Sequence, residues 1–378
     1  MIYLDNAATT PVDPQVAQVI YDSLTNDFAN PSSLYDMGAR SEKRMNTARH
    51  VIAQSIKAKD SEIHFTASAS EGNNIAIYGL ALARKHWGNR IVATGYEHPA
   101  VSYPFEDLSK NGFETVFVDP EDDGTVDPEK IIRAVDSKTC LVCLIHVNNE
   151  TGAMIDIART AKKIKEKNKR CTVHVDATQS YMKYPLNVSL MKIDSMSFSA
   201  QKINGPKGIG ALYVRSGVNM ETVFRGGGQE GGLRSGTENT AYIQGFRKAV
   251  ELHSRKMKEH MALYEELSTR LLDGLEEFDN VVINSPAGAA PFTVNFSFRG
   301  YRSETLLHFL DSLGICVSSG SACSRGSDSH TLESMHISKD RIDSAIRVSF
   351  GPQNTKEDVD ALLDGLRQAK ERLQRVNR

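Results

Sequence analysis

The sequence predicts an α/β fold with two domains, a large one with a mostly parallel sheet and a smaller α+β one. Its length of 378 residues exceeds what one core usually fills. Short apolar runs alternate with helical periods from about residue 15 to 250, which is typical of a parallel sheet covered by helices. A long helical stripe then separates this region from further strand and helix patterns.

Successive strand patterns in the first part of the chain end in polar residues. The hydroxyl-rich segment 65–74 runs into an amphipathic helix, whose first N–H groups form an anion site or are simply N-capped. His98 follows the strand pattern 90–93, where an imidazole can stack on a flat cofactor and shuttle protons, or merely fill a turn. Asn149 follows the buried-strand pattern 141–147. Polar residues at consecutive strand ends favour a ligand site there.

Asp176 and Lys202 lie at the ends of the next two strand patterns. Asp176 closes the run 171–176, and Lys202 follows 193–198 and precedes a Gly/Pro turn. Most loop lysines are merely solvated. However, an acid and a lysine at the ends of neighbouring strands are typical of a binding site for pyridoxal phosphate. The carboxylate keeps the pyridine nitrogen protonated, and the lysine binds the aldehyde carbon.

The last third of the chain combines a long helix with strands and a closing helix. Apolar residues at helical spacing predict a helix that passes into the second domain: Met257, Met261, Tyr264, Leu267, Leu271, Leu275 and Phe278. Strand patterns at 292–298 and 345–350 follow. In the second strand Arg347 lies opposite the apolar face, where its guanidinium is either a rigid fork for a carboxylate or an exposed side chain. The closing helix ends in basic residues that complement its dipole.

Cys323 lies among small, polar and glycine residues, 317–326, whereas a structural cysteine prefers close apolar packing. It is therefore a reactive thiol that reaches a substrate and a second protein, or a free surface thiol. Cys140 and Cys143 have Cys-x-x-Cys spacing, but inside a buried-strand pattern. We expect these two, Cys171 and Cys316 to be core residues and expect no metal site.

Composition excludes several function classes. The formal net charge is −2 with no basic stripe, which argues against direct nucleic-acid binding. No apolar run approaches the ~18 residues that a membrane span needs. The first residues lack signal-peptide features, and the few cysteines make no disulfide scaffold, so we predict a cytoplasmic location.

Motifs along essentially the whole chain resemble the cysteine desulfurases, pyridoxal-phosphate enzymes of the class V aminotransferase family with the aspartate aminotransferase-like fold (fold type I). The segments that carry the resemblance are 5–11, 30–33, 97–98, 146–150, 174–179, 202–208, 234–237, 318–323 and 346–347. The long Ser-Ser-Gly-Ser-Ala-Cys loop resembles the group that serves iron–sulfur assembly and tRNA thiolation. The resemblance implies a large domain at 15–251. It implies a small domain at 1–14 and 252–378, with the cysteine loop at about 318–332.

The resemblance also implies how the cofactor is held. Lys202 would bind its aldehyde, Asp176 its pyridine nitrogen and Gln179 its phenolic oxygen, while His98 would stack on the ring. Phosphate contacts are implied for Ala69, Ser70 and Ser199, with Thr237 from the neighbouring subunit of a homodimer.

Further implied roles concern the substrate and the sulfur. Asn149 and Arg347 would take the substrate carboxylate, and Cys323 would accept the sulfur. We therefore predict an enzyme that converts L-cysteine to L-alanine and passes the sulfur to an acceptor protein. The alternatives are a selenocysteine lyase or another class V enzyme such as a transaminase, and a sulfur carrier that has lost catalysis. Lys202, Asp176 and Arg347 argue against the carrier.

Three positions depart from the family pattern. Gln201 replaces a usual histidine beside the cofactor lysine. The resemblance implies a phosphate contact there, which an amide can make by donating a hydrogen bond but with no charge to strengthen it. Tyr35 stands where many relatives have histidine. Gly231 replaces a usual arginine, which could alter the dimer interface or access to the site.

Overall fold

The computed structural model describes residues 1–319 and 329–375. Its strands are β1 Ile2–Tyr3, β2 Ile63–Thr66, β3 Arg90–Thr94, β4 Glu114–Val118, β5 Thr139–Ile145, β6 Thr172–Asp176, β7 Ser195–Ser199, β8 Gly210–Val214, β9 Val281–Ile283, β10 Thr293–Phe298, β11 Ile315–Cys316 and β12 Ala345–Ser349. Its helices are α1 Pro14–Asn26, α2 Asp36–Ser55, α3 Ala69–Arg84, α4 Pro99–Lys110, α5 Pro128–Ala134, α6 Ile157–Lys167, α7 Val188–Met191, α8 Thr240–Leu275, α9 Ser303–Ser312, α10 His330–Ser334, α11 Lys339–Asp343 and α12 Lys356–Arg372.

A seven-stranded sheet forms the centre of the larger part. Its order is β2-β8-β7-β6-β5-β3-β4, and every strand is parallel to the others except β8. Ile145 pairs with Asp176, so the ends of β5 and β6 lie side by side. The ends of β3 and β7 lie at the same edge, because these strands run parallel to them. The predicted α/β class with a mostly parallel sheet is confirmed.

Helices cover both faces of this sheet. One buried cluster joins α3 and α4 to the sheet through residues such as Ile77 and Phe105. The cluster on the other face includes Ile52 of α2 and Phe246 of α8. Strands covered on both faces are apolar throughout, which explains why β5 has no polar side.

A second core lies around the antiparallel sheet β12-β10-β9. Phe296 and Phe298 pack there with residues of α8, α9 and α12. The 36-residue helix α8 contributes to both cores, as its stripe predicts: Phe246 belongs to the first and Leu267 to the second. The N-terminus joins the second core, because β1 pairs with β11 and Leu4 is buried there. The domain bounds at residues 14 and 251 stay predictions.

The structure refines some expectations for single residues. Cys140, Cys143 and Cys171 are buried as expected, but Cys316 is only half-buried. Strand β11 has only two residues, because Gly314 before it has φ +78° and lies outside the extended region. None of the described helices is both long and apolar enough to cross a membrane. The cytoplasmic location stays a prediction.

Candidate active site

A cleft opens where the carboxyl ends of β5, β6 and β7 meet the N-terminal segment and β12. Of the predicted site residues that the structure describes, all but Thr237 line it, namely Ala69, Ser70, His98, Asn149, Asp176, Gln179, Ser199, Gln201, Lys202 and Arg347. Thr237 is exposed and does not line this cleft. Cys323 lies outside the described residues.

Asp176 is held at the end of β6 by two donors. The amide of Asn73 donates to its Oδ2 at 2.7 Å, and the backbone N–H of Thr178 donates to its Oδ1 at 2.9 Å. Each carboxylate oxygen has lone pairs left for a further donor in the cleft. The side chain is thus oriented before any ligand arrives.

A buried hydrogen-bond chain stands behind Asp176, and the sequence did not predict it. His174 Nε2 lies 2.9 Å from Asn73 Oδ1, and Ser195 Oγ lies 2.8 Å from His174 Nδ1. Burial lowers the pKa of His174 to about 4, so its imidazole is neutral. The neutral ring donates through Nε2 and accepts at Nδ1, which fixes the direction of the Asn73 amide. The sequence did contain one indication of this chain: Asn73 is a polar residue on the apolar face of α3, four residues before Ile77.

Lys202 follows β7 in a short 3₁₀ turn and points at the N-terminal segment. Its Nζ donates to the backbone oxygens of Ala7 at 2.6 Å and Ala8 at 2.5 Å. Gln179 Nε2 donates to the same Ala7 oxygen at 3.0 Å. The N-terminal segment therefore forms one wall of the cleft, a role that its sequence motif alone did not reveal.

A close approach of backbones shapes the end of the cleft at Ala69 and Ser70. Both residues begin α3, and Ser68 caps this helix by accepting from Glu71 N at 3.1 Å. A Cβ at Gly210 would lie 2.8 Å from the Ser68 carbonyl carbon and 3.0 Å from Ala69 N. Only glycine lets β8 come so near, which places free N–H groups of a helix N-terminus toward the cleft.

Arg347 forms the opposite end of the cleft. Its side chain is 1% exposed, which rules out the exposed-strand alternative. Nη1 donates to the Asn149 backbone oxygen at 3.1 Å, and Nη2 donates to Asp5 Oδ1 at 2.7 Å. Nε has no partner within the described ranges. The guanidinium is therefore held in one orientation by its hydrogen bonds to Asn149 and Asp5.

Burial disfavours the charged forms of His98, which lines the cleft, and of Lys183 near Lys202. It lowers the pKa of His98, whose Nδ1 accepts from Ala100 N at 3.0 Å and leaves Nε2 to carry the proton. It lowers the pKa of Lys183 to about 7, with a further contribution from Lys202. Lys183 Nζ lies 4.0 Å above the ring of Phe292. The sequence did not predict this lysine, although its position inside an aromatic and apolar run was a signal.

Comparisons with known proteins agree over nearly the whole chain. The model of the aminotransferase class V family matches residues 2–362. A cysteine desulfurase IscS of Clostridium botulinum is 39% identical over 371 residues, which cover 97% of this chain and 93% of the relative. The chain belongs to the class V aminotransferases, among the cysteine desulfurases. This family uses pyridoxal phosphate.

Solved structures of the family have the same fold. A NifS-like protein is 34% identical with a TM-score of 0.93, and the match covers 98% of this chain and all of the other. A protein named SspA, solved in complex with cysteine, is 31% identical with a TM-score of 0.83. That match covers 94% of this chain and 100% of the other.

The residues of the cleft fit the family's cofactor. Two buried polar atoms that line it, Thr178 Oγ1 and Gln179 Oε1, have no partner among the described residues. Such orphaned groups are rare unless a ligand or water satisfies them. A helix N-terminus for an anion, a carboxylate for a ring nitrogen and a lysine for an aldehyde lie around one space. That space is about 760 Å³ including its open mouth, within the usual range for cofactor sites.

The positions that depart from the family pattern lie in different surroundings. Gln201 lines the cleft, and its backbone oxygen accepts from Thr10 Oγ1 at 2.9 Å. Gly231 has φ +67°, a conformation that an arginine adopts only with strain. Tyr35 is exposed at the start of α2. The consequences of these departures for dimer contact and cofactor affinity stay predictions.

Glu97 provides a test of the electrostatics around the cleft. Its Oε1 accepts from Thr94 Oγ1 at 2.6 Å and from Ile145 N at 2.7 Å, while Oε2 has no partner in the described chain. Burial raises its pKa to about 8, and Asp176 contributes. The folded state therefore keeps a proton that the unfolded chain releases above about 4.5, so stability from this group is lost as pH rises to about 8.

We expect Glu97→Gln to become progressively more stable than the wild type between pH 4.5 and 8, by about 1.4 kcal/mol per pH unit. The measurement is denaturant unfolding across this range. Glu62→Gln is the control of opposite sign. Burial opposes its ionisation, but hydrogen bonds from Lys59 N and Ser216 hold the pKa of Glu62 below its usual range. A flat difference between Glu97→Gln and wild type would show that Glu97 is ionised in the folded protein.

Proposed function

We propose that this chain is a cysteine desulfurase that converts L-cysteine to L-alanine and keeps the sulfur as a persulfide on Cys323. The observation that carries the proposal is the arrangement of Asp176, Lys202 and Arg347 around one cleft. A transaminase would use the same three residues but has no need of Cys323. The relatives named as cysteine desulfurases and the SspA complex with cysteine support L-cysteine as the substrate.

The residues of the cleft divide the work on the substrate. Arg347 and Asn149 bind its carboxylate, and the guanidinium supplies a preformed fork. Lys202 Nζ takes the proton from Cα, and Asp176 holds a proton on the ring nitrogen. Pyridoxal phosphate, when bound, supplies the ring that accepts the electrons released at Cα. His98, fixed by the hydrogen bond that its Nδ1 accepts from Ala100 N, would contact that ring and offer Nε2 for proton transfer.

The sulfur step needs a thiolate, which Cys323 supplies. It attacks the sulfur of the bound cysteine, a sulfur–sulfur bond forms, and the Cβ–S bond of the substrate breaks. The electron pair of that bond passes to the carbon side, and Cβ takes up a proton to become the methyl group of alanine. The balance is L-cysteine plus a protein thiol giving L-alanine plus a protein persulfide, with no outside oxidant. The persulfide then passes its outer sulfur to an acceptor protein for iron–sulfur assembly or tRNA thiolation.

The cofactor is tested by replacing its proposed anchor. Purified protein should absorb near the ~400 nm region expected for pyridoxal phosphate bound to a lysine. Lys202→Ala should lose the link that borohydride reduces onto the protein, because no other amine replaces it at that place. Lys207→Ala, an exposed lysine five positions later, should behave as the wild type. A colourless wild type that takes up no added pyridoxal phosphate would overturn the proposal.

We propose that the active unit is a homodimer with two shared sites. Thr237 is exposed and does not line the cleft of its own chain. Its exposure agrees with a contact to the phosphate in the neighbouring subunit's cleft. Large apolar side chains are exposed close together in sequence on α1 and after it: Tyr21, Leu24, Phe28, Leu34 and Tyr35. Such exposed apolar groups are typical of an interaction surface, and a second copy covers them in the proposed dimer.

Sedimentation of charge-inserting variants tests the dimer. Phe28 is 68% exposed and Leu190 is 69% exposed, so Phe28→Glu and Leu190→Glu place the same charge at equally exposed sites. We expect Phe28→Glu to shift the protein toward monomer and to weaken cofactor retention, since Thr237 no longer reaches its partner. Leu190→Glu should remain dimeric. A monomeric wild type that retains the cofactor would contradict the shared site.

Cys323→Ser separates a desulfurase from other reactions on this fold. The variant should still bind L-cysteine and show the change in cofactor absorption, because Lys202, Asp176 and Arg347 are intact. Sulfide release with a reductant should fall by roughly a hundredfold or more, since a hydroxyl is a poor nucleophile at neutral pH, and no labelled persulfide should form at position 323. Cys316→Ser, at a half-buried thiol, serves as the control. Alanine release by Cys323→Ser at the wild-type rate would indicate a lyase instead.

A further inference from the structure

Glu150 is a buried carboxyl group whose side-chain partners are hydroxyls. It is 4% exposed, and its Oε2 accepts from Ser329 Oγ at 2.5 Å, while its Oε1 accepts from Thr331 Oγ1 at 3.2 Å. No cationic side chain pairs with it in residues 1–319 and 329–375. Burying a carboxylate without a cation costs stability, so Glu150 is a poor choice for packing alone.

The backbone around Glu150 is held firmly. Asn148 Oδ1 accepts from the N–H groups of Glu150 at 2.8 Å and Thr151 at 2.9 Å. Asn295 Nδ2 donates to the Glu150 backbone oxygen at 3.2 Å. These bonds fix the carboxyl group relative to Asn149, whose own backbone oxygen holds Arg347. Glu150 is thus rigidly connected to the proposed binding site for the substrate carboxylate.

Ser318 and Ser329 flank the part of the chain that includes Cys323, and both form hydrogen bonds near Glu150 and Arg347. At one end, the backbones of Ser318 and Arg347 exchange two hydrogen bonds, of 3.1 and 2.6 Å. At the other end, Ser329 both donates to Glu150 and caps α10 by accepting from Leu332 N at 3.1 Å. The chain between these ends includes Cys323. One end is therefore fixed on Arg347, and the other on the residue that follows Asn149.

Fixing both ends of a short segment limits where a thiol on it can reach. A free end would let the thiol explore a much larger volume, which lowers its effective concentration at the substrate sulfur. We propose that Glu150 is a positioning residue for sulfur transfer: through Ser329 and Thr331 it fixes the exit of the Cys323 segment beside the Arg347–Asn149 clamp. This inference rests on the proposed desulfurase function.

The test compares Glu150→Ala with the conservative Glu150→Gln. Alanine removes both hydroxyl contacts, and we expect the single-turnover rate of labelled persulfide formation on Cys323 to fall by about 10- to 100-fold. The kcat should fall with it, while the KM for L-cysteine stays within about twofold. The change in cofactor absorption on adding L-cysteine should be unaltered. Glutamine keeps an oxygen for Ser329 and a donor for Thr331, so it should recover much of the rate.

Two further variants protect the test against misfolding of Glu150→Ala. Thr331→Val removes one contact at nearly constant volume and should slow persulfide formation by a smaller factor. Ser334→Ala alters the same short helix at a hydroxyl that donates to the Thr331 backbone oxygen, and it should match the wild type. Equal melting temperatures for Thr331→Val and Ser334→Ala would exclude a loss of stability as the cause.

Each outcome distinguishes the two proposals. A wild type that never labels Cys323 would refute the desulfurase function itself. A wild type that labels Cys323, with Glu150→Ala and Thr331→Val labelling it as fast, would refute the positioning role alone. A raised KM for L-cysteine with unchanged kcat would also refute it, because Glu150 would then act in substrate binding.

Discussion

The site depends on how the N-terminal segment is held between two cores. On the side of the second core, Asp5 pairs with Arg347 and the Ala7 N–H donates to Ser349 Oγ at 2.8 Å. On the side of the seven-stranded sheet, the Ala7 oxygen accepts from Lys202 Nζ. Lys202 and Arg347, for which we propose the catalytic and carboxylate-binding roles, follow or lie on strands that belong to different cores. Their separation is therefore set by a few hydrogen bonds to one short stretch of backbone.

Burial and hydrogen bonding act on different ionisable groups in and around the cleft. Glu97, His98 and Lys183 all have pKa values displaced toward the neutral form, by desolvation in each case. Burial thereby reduces the charge that these neighbours bring to the surroundings of the cleft. The proposed ligand-binding residues are instead oriented by hydrogen bonds: Asp176 accepts from Asn73, and Arg347 donates to the Asn149 backbone oxygen. Pre-orientation of this kind lowers the reorganisation that reaction requires.

The fold class and several residues of the candidate site were predictable from the sequence. Asp176 and Lys202 were found because strand ends are visible as breaks in apolar runs, and parallel strands bring those ends to one edge. Glu150 and Lys183 were not assigned a role, since their environments depend on contacts across long chain separations. Arg347 is intermediate: its face on the strand followed from alternation, but its engagement by Asp5 required the tertiary structure. Cys323 lies outside the described residues, so its role rests on the motif.

The pairing of the chain's first residues with its last strands has a consequence for biosynthesis. Ile2 pairs with Ile315, and Asn6 donates to the Ser349 backbone oxygen at 2.9 Å. The ribosome makes the N-terminal segment first, yet its partners emerge more than three hundred residues later. Its contacts with Lys202 and Gln179 can form with the seven-stranded sheet, but its contacts with β11 and β12 must wait for these strands to be made. The wall that the N-terminal segment forms can therefore be complete only after β11 and β12 have been synthesised.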